Sequence, residues 1–204
     1  MNKKFNILKL SRLCVLVLIM ALLSGCVSRG SQQINYENIC DIFSSKKRWY
    51  RAAQKSTKQW GGNIELPMAI IYQESSFDRN ARPKRKKILG FIPGARPSNS
   101  YGYSQALKST WQQYQDQTGR HRTRRNNFAH SFDFVHWYIN RSYTLNGTSK
   151  WDYSNQYLNY HEGHGGFQRQ TYLNKNGLLK TASRVKARAE RYKKQLSSCQ
   201  HRLK

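Results

Sequence analysis

Acidic side chains are scarce: ten Asp and Glu stand against 36 Lys and Arg in 204 residues, a formal net charge of +26. So basic a chain calls for a polyanionic or acid-rich partner, which leaves nucleic acid, an anionic membrane and an anionic polymer as the open classes. A bilayer-spanning run is also missing. The apolar stretch Leu13 to Leu23 falls well short of the roughly 20 residues a spanning helix needs. No internal repeat occurs and nothing suggests a second globular unit, so the length allows one domain with a real core and short extensions. A His-Glu-x-x-His signature is lacking too. His161-Glu162-Gly163-His164 has a different spacing, lies in a Gly-rich stretch and offers no third ligand, so neither a metal centre nor a cofactor is expected.

What is present at the N-terminus defines the compartment. Lys3, Lys4, Lys9 and Arg12 precede the apolar run, which ends in Leu23-Ser24-Gly25-Cys26, the layout of a secretory signal peptide. The tetrapeptide resembles the lipobox of bacterial lipoproteins. That resemblance implies removal of residues 1–25, acylation of Cys26 and membrane attachment through it; Val27 in place of Asp fits sorting to the periplasmic face of the outer membrane. An uncleaved anchor helix with an incidental Cys is the competing reading. Processing takes away four basic residues, leaving 32 against ten acidic ones, a net charge of +22. Residues 26–35 are a polar tether, and residues 36–204 are expected to form a single monomeric domain. In that compartment nucleic acid drops out as a partner.

Four cysteines are present. Cys14 leaves with the leader and Cys26 carries lipid, so Cys40 and Cys199 remain as one pair in an oxidising compartment, expected to form a disulfide, with two free buried thiols as the alternative.

The rest reads as mainly helical. Ile39, Ile42, Phe43, Trp49 and Ala53 recur at helical steps up to about Gln59, where Gly61-Gly62 stops them. Asn63 and Pro67 open a second helix over about 65–77. Residues 78–101, with three prolines and the apolar run Ile88 to Ile92 behind the basic run Arg82 to Lys87, predict an irregular loop or a small β-hairpin. Helices follow from about Ala106 to Gly119, from Phe128 behind Asn126 or Asn127, from Asp152 to Tyr160, and from Ser183 to Ser198 with Val185, Ala189, Tyr192 and Leu196 as its stripe. The basic runs Arg82 to Lys87 and Arg120 to Arg125 are expected to be solvated surface.

Glu74 is the candidate around which the chain is organised. Ile70 and Ile71 lie four and three residues before it and Phe77 three after, so its carboxyl shares an apolar helix face. Desolvation there raises a carboxyl pKa, as a general acid near neutral pH requires. The alternative is an outward Glu74 paired with Arg79 or Arg82.

Gln73-Glu74-Ser75, Ser100-Tyr101-Gly102-Tyr103-Ser104-Gln105 and Asn159-Tyr160-His161-Glu162-Gly163 resemble, in order and spacing, the signatures of the soluble lytic transglycosylase domain over about residues 60–170. The resemblance implies a mainly α, α+β lysozyme-like fold and cleavage of peptidoglycan glycan strands at the MurNAc-GlcNAc β-1,4 bond. Glu74 would be its single catalytic acid/base, Ser75, Gly102, Tyr103, Gln105, Tyr160 and His161 would meet substrate, and Tyr160 would orient Glu74. Tyr103-Ser104 replace the usual Leu-Met of the loop, and His161 replaces the usual Asn. A second carboxylate, Glu162 or Asp78, would turn the chemistry to muramidase-type hydrolysis, and loss of activity would leave a peptidoglycan-binding lipoprotein.

Overall fold

The structure is a computed structural model in which residues 33–203 are described; Cys26, the expected leader and most of the expected tether lie outside the described residues. From Ile34 onward the chain forms one compact unit.

Helix α1 (Ile39–Ser45) starts at Asn38, whose side chain accepts from the Cys40 N–H at 3.0 Å, the bond an N-cap makes. Helix α2 (Lys47–Trp60) follows after a break at Lys46, φ −125°. The single helix expected over this stretch is therefore two. From Ser44 to Arg48 every residue is exposed, so no side chain there is held against the core to keep the helix continuous. Gly61, at φ 70°, ends α2.

Helix α3 (Glu65–Ser75) is buried from Glu65 through Ile71. Asn63 accepts from the Leu66 N–H at 2.9 Å, and the imidazole of buried His136 donates from Nε2 to the Asn63 carbonyl at 2.8 Å, which pins the start of α3 to a neighbouring helix. Burial lowers the His136 pKa to about 4, so the ring is neutral. The helix stops at Ser75 rather than at 77, because Ser76 and Phe77 both adopt positive φ, 49° and 62°. That turn folds the Phe77 ring back onto Tyr36, with centroids 5.1 Å apart.

A two-stranded antiparallel hairpin follows, β1 (Lys87–Ile88) and β2 (Ile92–Pro93), with Ile88 opposite Ile92. Helix α4 (Lys108–Thr118) ends at Gly119 in the left-handed region. Helix α5 (Phe128–Asn146) is capped by the Asn127 side chain on the His130 N–H, α6 (Tyr153–Glu162) by Asp152 on the Asn155 N–H, and α7 (His164–Gln168) is a short turn. Helix α8 spans Asn176–Cys199. It begins before the expected Ser183, because Leu178 and Ala182 carry the Val185-Ala189-Tyr192-Leu196 stripe two turns further and are buried with it.

Helix α3 lies against α8 and α5, α6 packs on α8, and α2 on α5. On one side of this core the Trp49 and Phe128 rings stack at 3.8 Å. On the same pair of helices, buried Asp133 of α5 accepts from Ser56 at 3.2 Å, from Trp60 at 3.0 Å and from Tyr114 at 2.6 Å, and pairs with Arg120. Arg120 therefore does not belong to a merely solvated basic run. Nor does Arg125, which donates to the carbonyls of Asn99 and Ala106 at 2.8 and 2.9 Å.

Cys40 and Cys199 form a disulfide between α1 and the end of α8, 159 residues apart. Closing so long a loop in the unfolded chain stabilises the folded one by roughly 5 kcal/mol in the chain-entropy model. Replacing Cys199 by Ser should lower the unfolding free energy by a few kcal/mol, read as a lower urea midpoint, and dithiothreitol should do the same to the parent chain; equal midpoints with and without reductant would remove the clamp from the account.

Candidate active site

The last turn of α3 brings Glu74 to the edge of the core. One turn back, Ile70 and Ile71 are fully buried, and the carboxyl is crowded by apolar surroundings while the residue as a whole stays half-buried. This desolvation raises the Glu74 pKa to about 7, and a hydrogen bond with the Tyr157 hydroxyl opposes part of the rise. No ion pair forms with it among the described residues; Arg82 lies instead over the Tyr101 ring, 4.6 Å from its centroid. The carboxyl is inward and alone, as the apolar face predicts and unlike the outward, Arg-paired alternative.

The hydroxyl that lowers the Glu74 pKa belongs to Tyr157, whose own pKa burial and the Glu74 charge push up. Tyr160 instead donates to the Ser104 carbonyl at 2.6 Å and packs edge-on against Tyr138 at 5.0 Å. Tyr160 thus supports the loop beside the carboxyl, and the Glu74 charge, after burial, helps to push its hydroxyl pKa up. Tyr157 was readable in principle: Tyr153, Tyr157 and Tyr160 stand at i, i+4 and i+7 on α6, one face, and Tyr153 donates to buried Glu65 at the start of α3, at 3.0 Å.

The loop 102–105 is braced from several sides. Ser75 donates to the Tyr103 carbonyl at 2.8 Å, and the Ile71 carbonyl lies within 3.1 Å of the same hydroxyl, so this serine joins the end of α3 to the loop. Gly102 sits at φ 76°, and a Cβ there would lie 2.1 Å from the Arg125 carbonyl oxygen. Only glycine fits. The Gln105 amide donates to the carbonyls of Ala81 at 2.9 Å and Gly102 at 2.8 Å, and its oxygen accepts from Ser100 at 3.1 Å. Its polar atoms are engaged by the protein. Tyr103 turns into the core, edge-on to Trp49 at 5.6 Å and Phe128 at 5.7 Å, and Ser104 is fully buried with its hydroxyl unpartnered.

Glu162 stands apart. Burial would raise its pKa, but bonds from Lys175 at 2.7 Å, from Thr171 and from His161 hold it down at about 2. It is an ionised structural anchor between the end of α6 and the segment before α8. His161, half exposed, faces Glu162 at 3.1 Å, whereas the His164 ring stacks on Tyr138 at 4.3 Å; the two imidazoles diverge, and no group of three or more His, Cys, Asp or Glu among the described residues is placed to hold a metal. Asp78 lies beyond the left-handed turn that ends α3 and accepts from the Asn80 N–H at 2.8 Å. Neither Glu162 nor Asp78 bears on the Glu74 carboxyl.

The model of one family, the transglycosylase SLT domain, matches residues 14–199. The chain belongs to that family. No curated protein and no solved structure matches it. Membership carries the mainly α, lysozyme-like fold seen here and implies peptidoglycan binding and cleavage of the lytic transglycosylase type. The SLT match begins inside the segment expected to be a leader and runs to the disulfide at Cys199.

The raised pKa has a consequence for stability. A carboxyl that ionises at about 7 when folded and near 4.5 when unfolded stabilises the fold below pH 4.5, and that contribution is lost as pH rises toward 7. Glu74→Gln has no such dependence. Its stability relative to the parent should therefore grow between pH 4.5 and 7 by at most on the order of 3 kcal/mol and stay constant above, read from urea unfolding at a series of pH values; a gap flat across the series would place Glu74 in water.

Proposed function

We propose that this SLT domain is a lytic transglycosylase in which Glu74 is the single acid/base. The observation that carries the reading is one desolvated carboxyl, protonated in part at neutral pH, on which Tyr157 acts and no carboxylate among the described residues does. Glu74 gives its proton to the glycosidic oxygen between MurNAc and GlcNAc as the C1–O bond breaks. The substrate's own acetamido oxygen stabilises the oxocarbenium-like C1. The Glu74 carboxylate then takes the proton of the muramyl 6-hydroxyl as that oxygen bonds to C1, which returns the enzyme to its starting state and leaves a 1,6-anhydromuramyl end. No water is consumed. Hydrolysis of the muramidase type needs a second carboxylate to activate water or attack C1, and the engagement of Glu162 by Lys175 supports the one-carboxylate route.

The loop 102–105, held by Ser75, Gln105 and Tyr160, forms a wall of the cleft beside Glu74, and His161 lies at its rim in this reading. The domain is tethered through acylated Cys26 to the periplasmic face of the outer membrane, where its excess of positive charge suits strands bearing acidic stem peptides.

Purified chain acting on sacculi should release anhydromuramyl products, identified by mass spectrometry, and Glu74→Gln should lower the rate by about 10²- to 10⁴-fold. Because the Tyr157 hydroxyl lowers the Glu74 pKa, Tyr157→Phe should move the alkaline limb of the pH profile upward. Reducing-end products would instead mean hydrolysis. In cells, Cys26→Ser should shift the protein from the membrane to the soluble periplasmic fraction and abolish labelling by radioactive palmitate; unchanged labelling would place the anchor elsewhere.

A further inference from the structure

The hairpin between Glu74 and the loop carries no role in the chemistry above, and its surface is unusual. Ile88, Leu89, Phe91 and Ile92 are 55, 79, 74 and 43% exposed, and Gly90 is the only other residue between them. Hairpin turns are ordinarily polar. Here Leu89 occupies the left-handed region at φ 52° beside Gly90 at φ 79°, a conformation that a bulky apolar residue adopts at a cost, and it holds the side chain out at the tip.

This tip is not a loose end. The Gly94 N–H donates to the Lys86 carbonyl at 2.7 Å, the Lys86 N–H to the Ala95 carbonyl at 3.2 Å and Arg85 to the Gly94 carbonyl at 3.2 Å, while Arg96 donates to the Pro83 carbonyl. A Cβ on Gly94 would lie 2.9 Å from the Lys86 carbonyl oxygen, so glycine is what lets the two arms close. The apolar residues are presented on a built stalk.

Immediately behind the tip comes charge of one sign. Arg82, Lys84, Arg85, Lys86, Lys87 and Arg96 surround the stalk, and no Asp or Glu occurs between Arg79 and Gln115. In the register, Lys87 opposite Pro93 stands one step behind Ile88 opposite Ile92, about 3.4 Å along a strand. An apolar layer backed within one residue by cations matches the boundary between acyl chains and phosphates, where interfacial segments bury their apolar face by roughly 5–10 Å and each nearby Lys or Arg adds attraction to anionic lipid. A glycan strand offers no layer that would take four aliphatic and aromatic side chains out of water.

We propose that the hairpin inserts Ile88 to Ile92 into the surface of an anionic phospholipid bilayer, with Lys84 to Lys87 and Arg96 against the phosphates. This contact stands apart from bond cleavage and from any lipid on Cys26. It would give the domain a second, non-covalent hold on a membrane and fix its orientation there.

The full chain is tested on vesicles containing a phospholipid with a photoreactive diazirine in its acyl chain, and the cross-linked peptides are mapped. With phosphatidylglycerol present, cross-links should fall on residues 88–92; with phosphatidylcholine alone they should drop by at least about tenfold. The unchanged chain serves in both arms, so misfolding cannot produce the difference. A Lys84→Gln, Arg85→Gln, Lys86→Gln, Lys87→Gln chain should lose the tip cross-links on anionic vesicles. Anionic vesicles cross-linked elsewhere but not at the tip, or equal tip cross-linking on neutral vesicles, would overturn the proposal. So would loss of the tip cross-links on adding purified sacculi, since the wall would then be the occupant.

Discussion

A carboxyl kept from water is the constraint on which the site depends. Glu74 titrates near 7 because burial desolvates its carboxyl at the end of α3, a helix packed against α5 and α8 with seven consecutive buried residues from Glu65 to Ile71. Both ends of that helix are fastened. His136 and Asn63 hold the start, and Ser75 with the left-handed pair Ser76 and Phe77 holds the end. An acid whose pKa rests on desolvation works only where its surroundings cannot relax to admit water or a counter-charge, so the rigidity of α3 and the chemistry of Glu74 are one property.

The polar groups around the cleft divide into those that face inward to the scaffold and the few left over. Ser75, Gln105 and Tyr160 each meet a backbone carbonyl; their work is to hold the loop at Gly102, which itself can carry no side chain against Arg125. Gln105 and the Gly102 N–H share the Ala81 carbonyl, at 2.9 and 3.0 Å, and Ala81 opens the segment that rises into the hairpin. The loop beside the acid and the base of the hairpin are thus one hydrogen-bonded unit.

Local patterns in the sequence were legible where one physical rule dominated. The apolar neighbours of Glu74, the caps at Asn127 and Asp152, the stops at Gly61 and Gly119 and the Cys40–Cys199 pair all follow from short-range chemistry, and the structure agrees. Three-dimensional partners were not legible. Asp133 gathers Ser56, Trp60, Tyr114 and Arg120 from separate elements, and nothing in its own surroundings in sequence marks it. The sequence left Glu162 open between a second carboxylate and a structural role, and its partner Lys175, 13 residues on, is set by the fold. Tyr160, favoured by motif, and Tyr157 lie on the same helical face, and the Glu74 charge raises the pKa of both hydroxyls; the part of Tyr157 has no motif to mark it. The break at Lys46 reflects side chains that face solvent, a fact of packing rather than of propensity.

The disulfide joins the first helix to the last, and nearly everything between them lies inside the covalent ring it closes. The exposed Lys84 to Lys87 stretch, open to proteases that cut after basic residues, is inside that ring. A cut there severs the backbone but not the molecule: the fragment bearing α1 and α3, with Glu74, stays bonded to the fragment bearing α6 and α8, with Tyr157. Such a nicked domain would migrate as one piece until reduced, and its two halves would remain in register because the disulfide still joins them.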